Sequence, residues 1–407
     1  MDEPQLAYSA YTKAPSMRWC FLQRTVPNIK EHFVPLEEAI SGKLIPAIIG
    51  RNVTNLERKI ISLPVRYGGL GIQNPTLTSD TEFNNSHRVT KNLTNLIIKQ
   101  ELDLTNYDAA SVAGEILRTK NEKEESMIAL LQEVTDVANQ KLRRYLEMAG
   151  EKGAGAWLTA LPLQSAGYTL NKQQFRDAIN LRYGWMIPGT PLYCGCGEKN
   201  NLDHILNCKL GGYVTMRHNN IRDLEATFLK EVCKDVRVEP ELLPIGERGT
   251  GSRNSAQKAR ADVSAIGVWG AMERTFLDVR VVHPNSPSYR DMTLEKLYTK
   301  HENEKKAEYN ERILQIEKGS FTPLIFSTNG GMGPESTKYH KRVAELIADK
   351  RNELYSDVVN HLRTRLRFAL LRSILIAVRG QRGKSRRGVQ ISDLSLNLIP
   401  DRSTYEV

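Results

Sequence analysis

The chain has 407 residues, 40% of them hydrophobic and 26% charged, with a net charge of +10. That length supports roughly two or three domains with real cores, and the positive charge points toward a polyanionic partner. The apolar run Ala369–Val378 carries Arg372 and, at about ten residues, is too short for a bilayer span. The acidic opening Met1-Asp2-Glu3-Pro4 has no apolar stretch behind it, so no secretory leader is expected.

In chain order, residues 16–78 mix helical apolar periodicity with a turn-rich end, Leu63-Pro64-Val65-Arg66-Tyr67-Gly68-Gly69-Leu70-Gly71-Ile72. Residues 80–150 are polar, free of proline and spaced as exposed helices, with Ile116, Met127, Leu130, Leu131 and Val134 as the periodic positions. Pro188-Gly189-Thr190-Pro191 then breaks structure.

Directly after that break stand Cys194, Cys196, His204 and Cys208, four of the few soft ligands in a chain with five cysteines and eight histidines. Thiolate and imidazole together suit tetrahedral zinc, which closes a short loop with little core of its own. The single-residue gap between the first two cysteines is tighter than usual, and two chance cysteines beside a satisfied histidine is the competing reading. Cys20 and Cys233 are isolated, which fits a reducing compartment.

Beyond this cluster the pattern predicts a helix over 217–232, with Ile221, Leu224, Phe228 and Leu229 on one side, then strands over 262–266 and 275–282. A long helix over about 293–318 follows, then a short strand over 323–327 ended by Gly330-Gly331-Met332-Gly333. Residues 338–379 read as helical with a basic end. The expected class is therefore α+β: a helical N-terminal region, a zinc knuckle, an α/β core and a basic C-terminal helix.

Phosphodiester hydrolysis needs carboxylates to hold a divalent cation, a polarised water and a cation to steady developing charge. Asp262 and Asp278 each lie eight residues from Gly270, in the turn-like Gly267-Val268-Trp269-Gly270. A hairpin folded about that glycine sets the two aspartates opposite each other, about 4.5–5.5 Å apart at Cβ, where they can share a hard cation such as magnesium or manganese. Period two puts Phe276, Asp278, Arg280 and Val282 on one face, so Asp278 and Arg280 point together. In the following helix Leu294, Tyr298, Tyr309, Ile313 and Ile316 form an apolar stripe that contains Lys305, with Lys306 about 100° away. A lysine on a buried stripe needs a carboxylate partner, although for any single lysine a snorkelling side chain is the simpler reading.

Taken together, Arg217-His218-Asn219, Arg260-Ala261-Asp262, Asp278-Val279-Arg280, Lys305-Lys306-Ala307-Glu308-Tyr309 and the Pro323–Ser327 strand with its glycine turn resemble the restriction-like endonuclease of non-LTR retrotransposons. Leu22-Gln23-Arg24-Thr25-Val26-Pro27-Asn28, Pro35-Leu36-Glu37 and the segment from Leu63 to Ile72 resemble the region that follows the polymerase palm in such reverse transcriptases.

The resemblance implies a PD-(D/E)xK-like nuclease core and metal-dependent nicking of DNA in the nucleus, with retrotransposon RNA as a second partner. It divides the chain into a thumb-like remnant (1–95), a helical linker (96–190), the CCHC zinc knuckle (191–212), the endonuclease core (213–335) and a basic helical extension (336–407). Asp262 and Asp278 would bind magnesium or manganese, Lys305 (with Lys306 as second choice) would steady charge, Tyr309 would pack or touch substrate, and Arg217 would sit beside the site. Ala261 stands where the family has proline, and Arg280 where it has lysine, keeping charge but losing a group that sheds its proton. The sequence has no adjacent Asp-Asp pair, so the polymerase signature is absent and no reverse transcription is expected of it. A non-catalytic nucleic-acid binder with a decayed nuclease site is the alternative. Arg363, Arg367, Arg372 and Arg379, with Arg382, Lys384, Arg386 and Arg387 beyond, are candidates to neutralise phosphates.

Overall fold

A computed structural model describes residues 2–100, 109–244, 256 and 258–380. The chain divides into two compact units, one of residues 1–143 and 169–179, the other of residues 144–168 and 180–407. The stretch expected as a linker is thus shared between the units. Among the described residues no helix is long and apolar enough to cross a membrane.

The first unit is helical: α1 (Pro4–Lys13), α2 (Pro15–Thr25), α3 (Val34–Ala39), α4 (Ile45–Ile49), α5 (Asn55–Ser62), α6 (Pro75–Ile98) and α7 (Ala109–Val137). Helix α5 begins at a complete capping box: the Thr54 hydroxyl accepts from the Glu57 amide and the Glu57 carboxylate accepts from the Thr54 amide. Its buried Ile60 and Ile61 join Ile45, Ile48, Leu70 and Ile72 in the core. The turn-rich segment folds back over α5, with the Leu70 and Ile72 amides both donating to the Ile61 carbonyl. Gly69 is required there, since a Cβ would stand 1.8 Å from the Leu63 carbonyl oxygen.

The second unit carries the sheet. Helices α8 (Gln140–Gly150) and α10 (Lys172–Tyr183) are divided between the units, residues 140–143 and 172–179 falling in the first; α9 (Ala156–Thr159), α11 (Leu202–Asn207) and α12 (Tyr213–Val232) precede strands β1 (Lys234–Val238), β2 (Val263–Ile266) and β3 (Arg274–Val282). Helix α13 (Leu294–Arg312), a π-helical turn over Ile313–Glu317, strand β4 (Ser320–Ser327), α14 (Pro334–Arg351) and α15 (Tyr355–Arg379) follow. The strand order is β1-β2-β3-β4, antiparallel for the first two pairings and parallel for β3 with β4, which α13 connects.

Alternation along β3 creates the layers. Leu277 and Val279 face a core that includes Ile221 and Phe228 from α12, Tyr339 and Ile347 from α14, and Leu366 and Leu370 from α15. On the other face Phe276 packs with Tyr309, Ile313 and Phe321, and Val282 packs with Leu297, Tyr298 and Ile325. Asp278 and Arg280 are the polar residues that interrupt this second, helix-covered row. The stretch expected as helical over 338–379 is so, in two helices, α14 and α15, because Asn352 takes a left-handed conformation (φ 53°) that ends the first.

Candidate functional site

The hairpin folds in the expected register. Val263 pairs with Leu277 and Ile266 with Arg274, while the Gly267 amide donates to the Glu273 carbonyl across the turn. Beyond the last pair the Asp262 amide donates to the Leu277 carbonyl at 3.0 Å, one residue out of the ladder's register, and Asp262 lines the same cleft as Asp278. Oδ2 of Asp262 is held twice, by the Val279 amide at 2.6 Å and by His218 Nε2 at 3.1 Å.

Lys305 reaches this pair from α13, with Nζ 3.0 Å from Asp278 Oδ2, 3.2 Å from Glu308 Oε2 and 5.3 Å from the Tyr309 ring centroid. Tyr309 is buried against Phe321, with centroids 5.4 Å apart. Burial pushes Asp278 up to about 6; Lys305 opposes this and the Asp262 charge adds to it. Burial works against the Lys305 charge, yet Asp278 and Glu308 outweigh it and raise its pKa. The hydrogen bond to the Asp262 carboxylate raises the pKa of His218, with burial opposing. These groups line a cleft of about 460 Å³ bounded by Val214, His218, Asp262, Asp278, Val279, Arg280, Val281 and Lys305.

Not every expected site residue gathers here. Lys306 pairs with Glu335 instead, so the two lysines part company around the helix. Arg280 lies at the cleft but is engaged by Glu304, Nη1 to Oε2 at 2.8 Å. Arg217 is buried and turns away from the cleft, its Nη1 donating to the Leu206 carbonyl at 3.1 Å. Its neighbour His218 is the α12 residue that touches Asp262. The Arg-His-Asn tripeptide was the available signal, and a 100° step around the helix decides which of its members faces the strand.

The basic helix needs a similar correction. Arg367, expected on a phosphate-facing side, is buried; Nε donates to the Ala154 carbonyl at 3.1 Å and Nη1 to the Thr328 carbonyl at 3.2 Å. Burial drops its pKa to about 9. Arg372 donates to the Gly167 carbonyl, and Arg379 to the Pro188 carbonyl at 2.9 Å. Of the expected arginines of α15 only Arg367 is buried; Arg363 and Arg372 are half-buried and Arg379 is exposed. Arg382, Lys384, Arg386 and Arg387 lie outside the described residues.

The Cys/His cluster assembles. Cys194, Cys196, His204 and Cys208 bring one ligand atom each to within 4.8 Å of one another. Cys194 and Cys208 sulfurs are 3.8 Å apart, and Cys196 Sγ lies 3.3 Å from His204 Nε2. Cys194 and Cys208 are buried and Cys196 is exposed. Burial opposes ionisation of Cys194, but the Cys196 amide and the hydrogen bonds from His204 and Cys196 bring its thiol down to about 7. Three sulfurs and one imidazole nitrogen form the donor set of a tetrahedral soft-metal site, so the cluster could hold a metal ion such as zinc. No protein-family model matches this sequence, and no curated protein matches it.

Proposed function

We propose that the second unit is a retrotransposon-derived, metal-dependent DNA endonuclease of the PD-(D/E)xK type, acting on nuclear DNA and lacking polymerase activity in this chain. The observation that carries the reading is the convergence of Asp262 and Asp278 on one cleft, with Lys305 Nζ 3.0 Å from the second. Two carboxylates and an ammonium on rigid elements, beside an open cleft, are what phosphodiester hydrolysis asks of a protein.

Asp262 and Asp278 offer hard oxygen donors that suit magnesium or manganese, and such an ion would supply Lewis-acid polarisation of the phosphodiester. Lys305 steadies the negative charge that develops on the phosphoryl oxygens. Tyr309 packs beneath the lysine and keeps its stem from bending away. His218 and the Val279 amide fix Asp262, leaving its carboxylate one orientation toward the cleft. The sulfur-rich cluster takes zinc and has a structural role, since its donors do not suit the ion of the cleft.

The test is nicking of supercoiled plasmid by the purified full chain with magnesium or manganese, beside an Asp262→Ala/Asp278→Ala double variant. Metal-dependent nicking by the wild type alone supports the reading. Equal nicking by both proteins contradicts it.

The Arg280–Glu304 pair favours a second reading, a nucleic-acid binder whose nuclease site has decayed, because the cation beside Asp278 on β3 is already neutralised. A folded wild type that binds DNA and RNA but nicks neither plasmid form would support that reading.

A further inference from the structure

Two chains of contacts lead from the Cys/His cluster to the two carboxylates. The first starts at Asp203, the residue before the ligand His204. Its Oδ1 accepts from the Tyr145 hydroxyl at 2.9 Å and the Asn285 amide at 2.9 Å, and lies 2.8 Å from His283 Nε2. His283 is fully buried and directly continues β3, the strand of Asp278. Its Nδ1 lies 3.0 Å from Thr328 Oγ1, and the Thr328 amide donates to the Val282 carbonyl at 2.8 Å, which clamps the ends of β3 and β4 together. The second chain starts at Leu206, whose carbonyl takes the buried Arg217 guanidinium at 3.1 Å. The next residue on α12 is His218, 3.1 Å from Asp262.

Asp203 is not needed to start α11, because the Asn201 side chain already caps it by accepting from the His204 amide at 2.9 Å. The carboxylate therefore serves a tertiary contact. The helix it belongs to has one short turn and a half of chain, and only Leu202, Ile205 and Leu206 of it bury apolar surface. Such a segment has too little burial to hold a fixed position alone, so ligation at His204 and Cys208 and the polar contacts of Asp203 set where it sits. A knuckle that served only as a separate nucleic-acid clamp would have no use for a carboxylate with three partners on the nuclease side.

We propose that the Cys/His cluster is a structural key of the cleft. Ligation by Cys194, Cys196, His204 and Cys208 fixes α11, and Asp203 and Arg217 act as positioning residues that pass this fixing to β3 with Asp278 and to His218 with Asp262. The inference gives the cluster its regulation of the proposed nuclease site and rests on that reading for its meaning, but its test does not require cleavage.

The test is hydrogen exchange followed by mass spectrometry on the full chain in four forms: zinc-loaded wild type, the same protein stripped by a chelator, and zinc-loaded Asp203→Ala and Asp203→Asn. Stripping zinc and Asp203→Ala are each expected to speed exchange roughly tenfold in peptides covering β2 and β3, while peptides of α14 and α15 keep their protection. Asp203→Asn, which keeps an accepting oxygen, is expected to retain most of the hairpin's protection. Unchanged hairpin protection after both perturbations would overturn the proposal, and so would an even loss across β2, β3, α14 and α15. Should stripping unfold the protein, zinc-loaded Asp203→Ala decides alone, and a fully protected hairpin in it is the overturning result. Titration of manganese into wild type and the Asp262→Ala/Asp278→Ala variant separates the two ideas. Equal binding by both sinks the reading of the cleft and leaves the exchange result to judge the link.

Discussion

Lys305 on α13 holds its ammonium 3.0 Å from Oδ2 of Asp278 on β3, and the contact joins the two elements that the parallel crossover brings side by side. A buried carboxylate beside a half-buried ammonium is costly to assemble and costlier to break, since removing the lysine strands the carboxylate. The pair also puts a positive charge where a phosphate would enter the cleft. In the proposed nuclease, chemistry and packing therefore fall on the same side chain.

The lysines can be told apart by substitution. Lys305→Met is expected to lower the nicking rate by about 10²–10³-fold, the usual loss when a preorganised charge-stabilising donor is removed. Lys306→Met is expected to stay within a few-fold of wild type, because its ammonium is engaged by Glu335 on α14. Rates measured on plasmid under single-turnover conditions decide this, and an equal loss in both variants would contradict the assignment.

Cobalt substitution reads the Cys/His cluster directly. One equivalent is expected to give the visible bands of tetrahedral cobalt with thiolate ligands, and Cys208→Ala to abolish them. Affinity should fall as pH drops through about 7, where the Cys194 thiol takes up its proton and competes with the metal. With free zinc a thousandfold above its dissociation constant, unfolding should cost about 4 kcal/mol more than in the chelated protein. A melting temperature indifferent to chelation would count against a structural metal.

Much of the cleft was legible because its geometry follows from period and symmetry. Equal spacing of Asp262 and Asp278 about Gly270 gives the register, and the 293–318 expectation matches α13 with its π-helical extension, capped by Thr293 and ended at the left-handed Lys318. Strand β1 was not legible: Asp235-Val236-Arg237-Val238 alternates for only four residues on a mostly exposed edge, and the pairing is broken by an irregularity at Asp235, whose φ is 45°. The partners of Arg280 and Arg217 could not be read either. Glu304 and the Leu206 carbonyl come from other elements, and a guanidinium in sequence does not say whether it meets a phosphate or a carbonyl. For Arg367 the basic pattern was misleading, because a helix packed on several sides buries that position.

Arg367 provides a check on that point. Replacing it with Met would leave the Ala154 and Thr328 carbonyls short of a donor in a buried setting, at a cost of about 2–4 kcal/mol in unfolding free energy. The salt dependence of DNA binding should not change, since a buried guanidinium neutralises no phosphate. Denaturant unfolding and a salt titration of DNA affinity read the two effects separately. Reduced salt dependence with unchanged stability would return Arg367 to the surface.

Glu151 makes the pH dependence of the second unit testable away from any metal. It accepts from the Tyr298 hydroxyl and, at 3.2 Å, from Ser327 Oγ. Burial lifts its pKa from 4.5 to about 7, while both hydrogen bonds pull the other way. A carboxyl raised in the folded state binds its proton more tightly there than in the unfolded chain, so the folded state loses stability as pH rises from about 4.5 through about 7. Below that window the group is protonated in both states and costs nothing. Above it the full penalty stands, about 3–4 kcal/mol. Glu151→Gln keeps the shape and removes the titration. Its stability relative to wild type should therefore climb by that amount between about pH 4 and about pH 9, whatever constant offset the amide introduces. Urea unfolding at a series of pH values measures the difference, and a gap that stays flat across the series would mean that Glu151 titrates in the folded protein as it does in the unfolded chain.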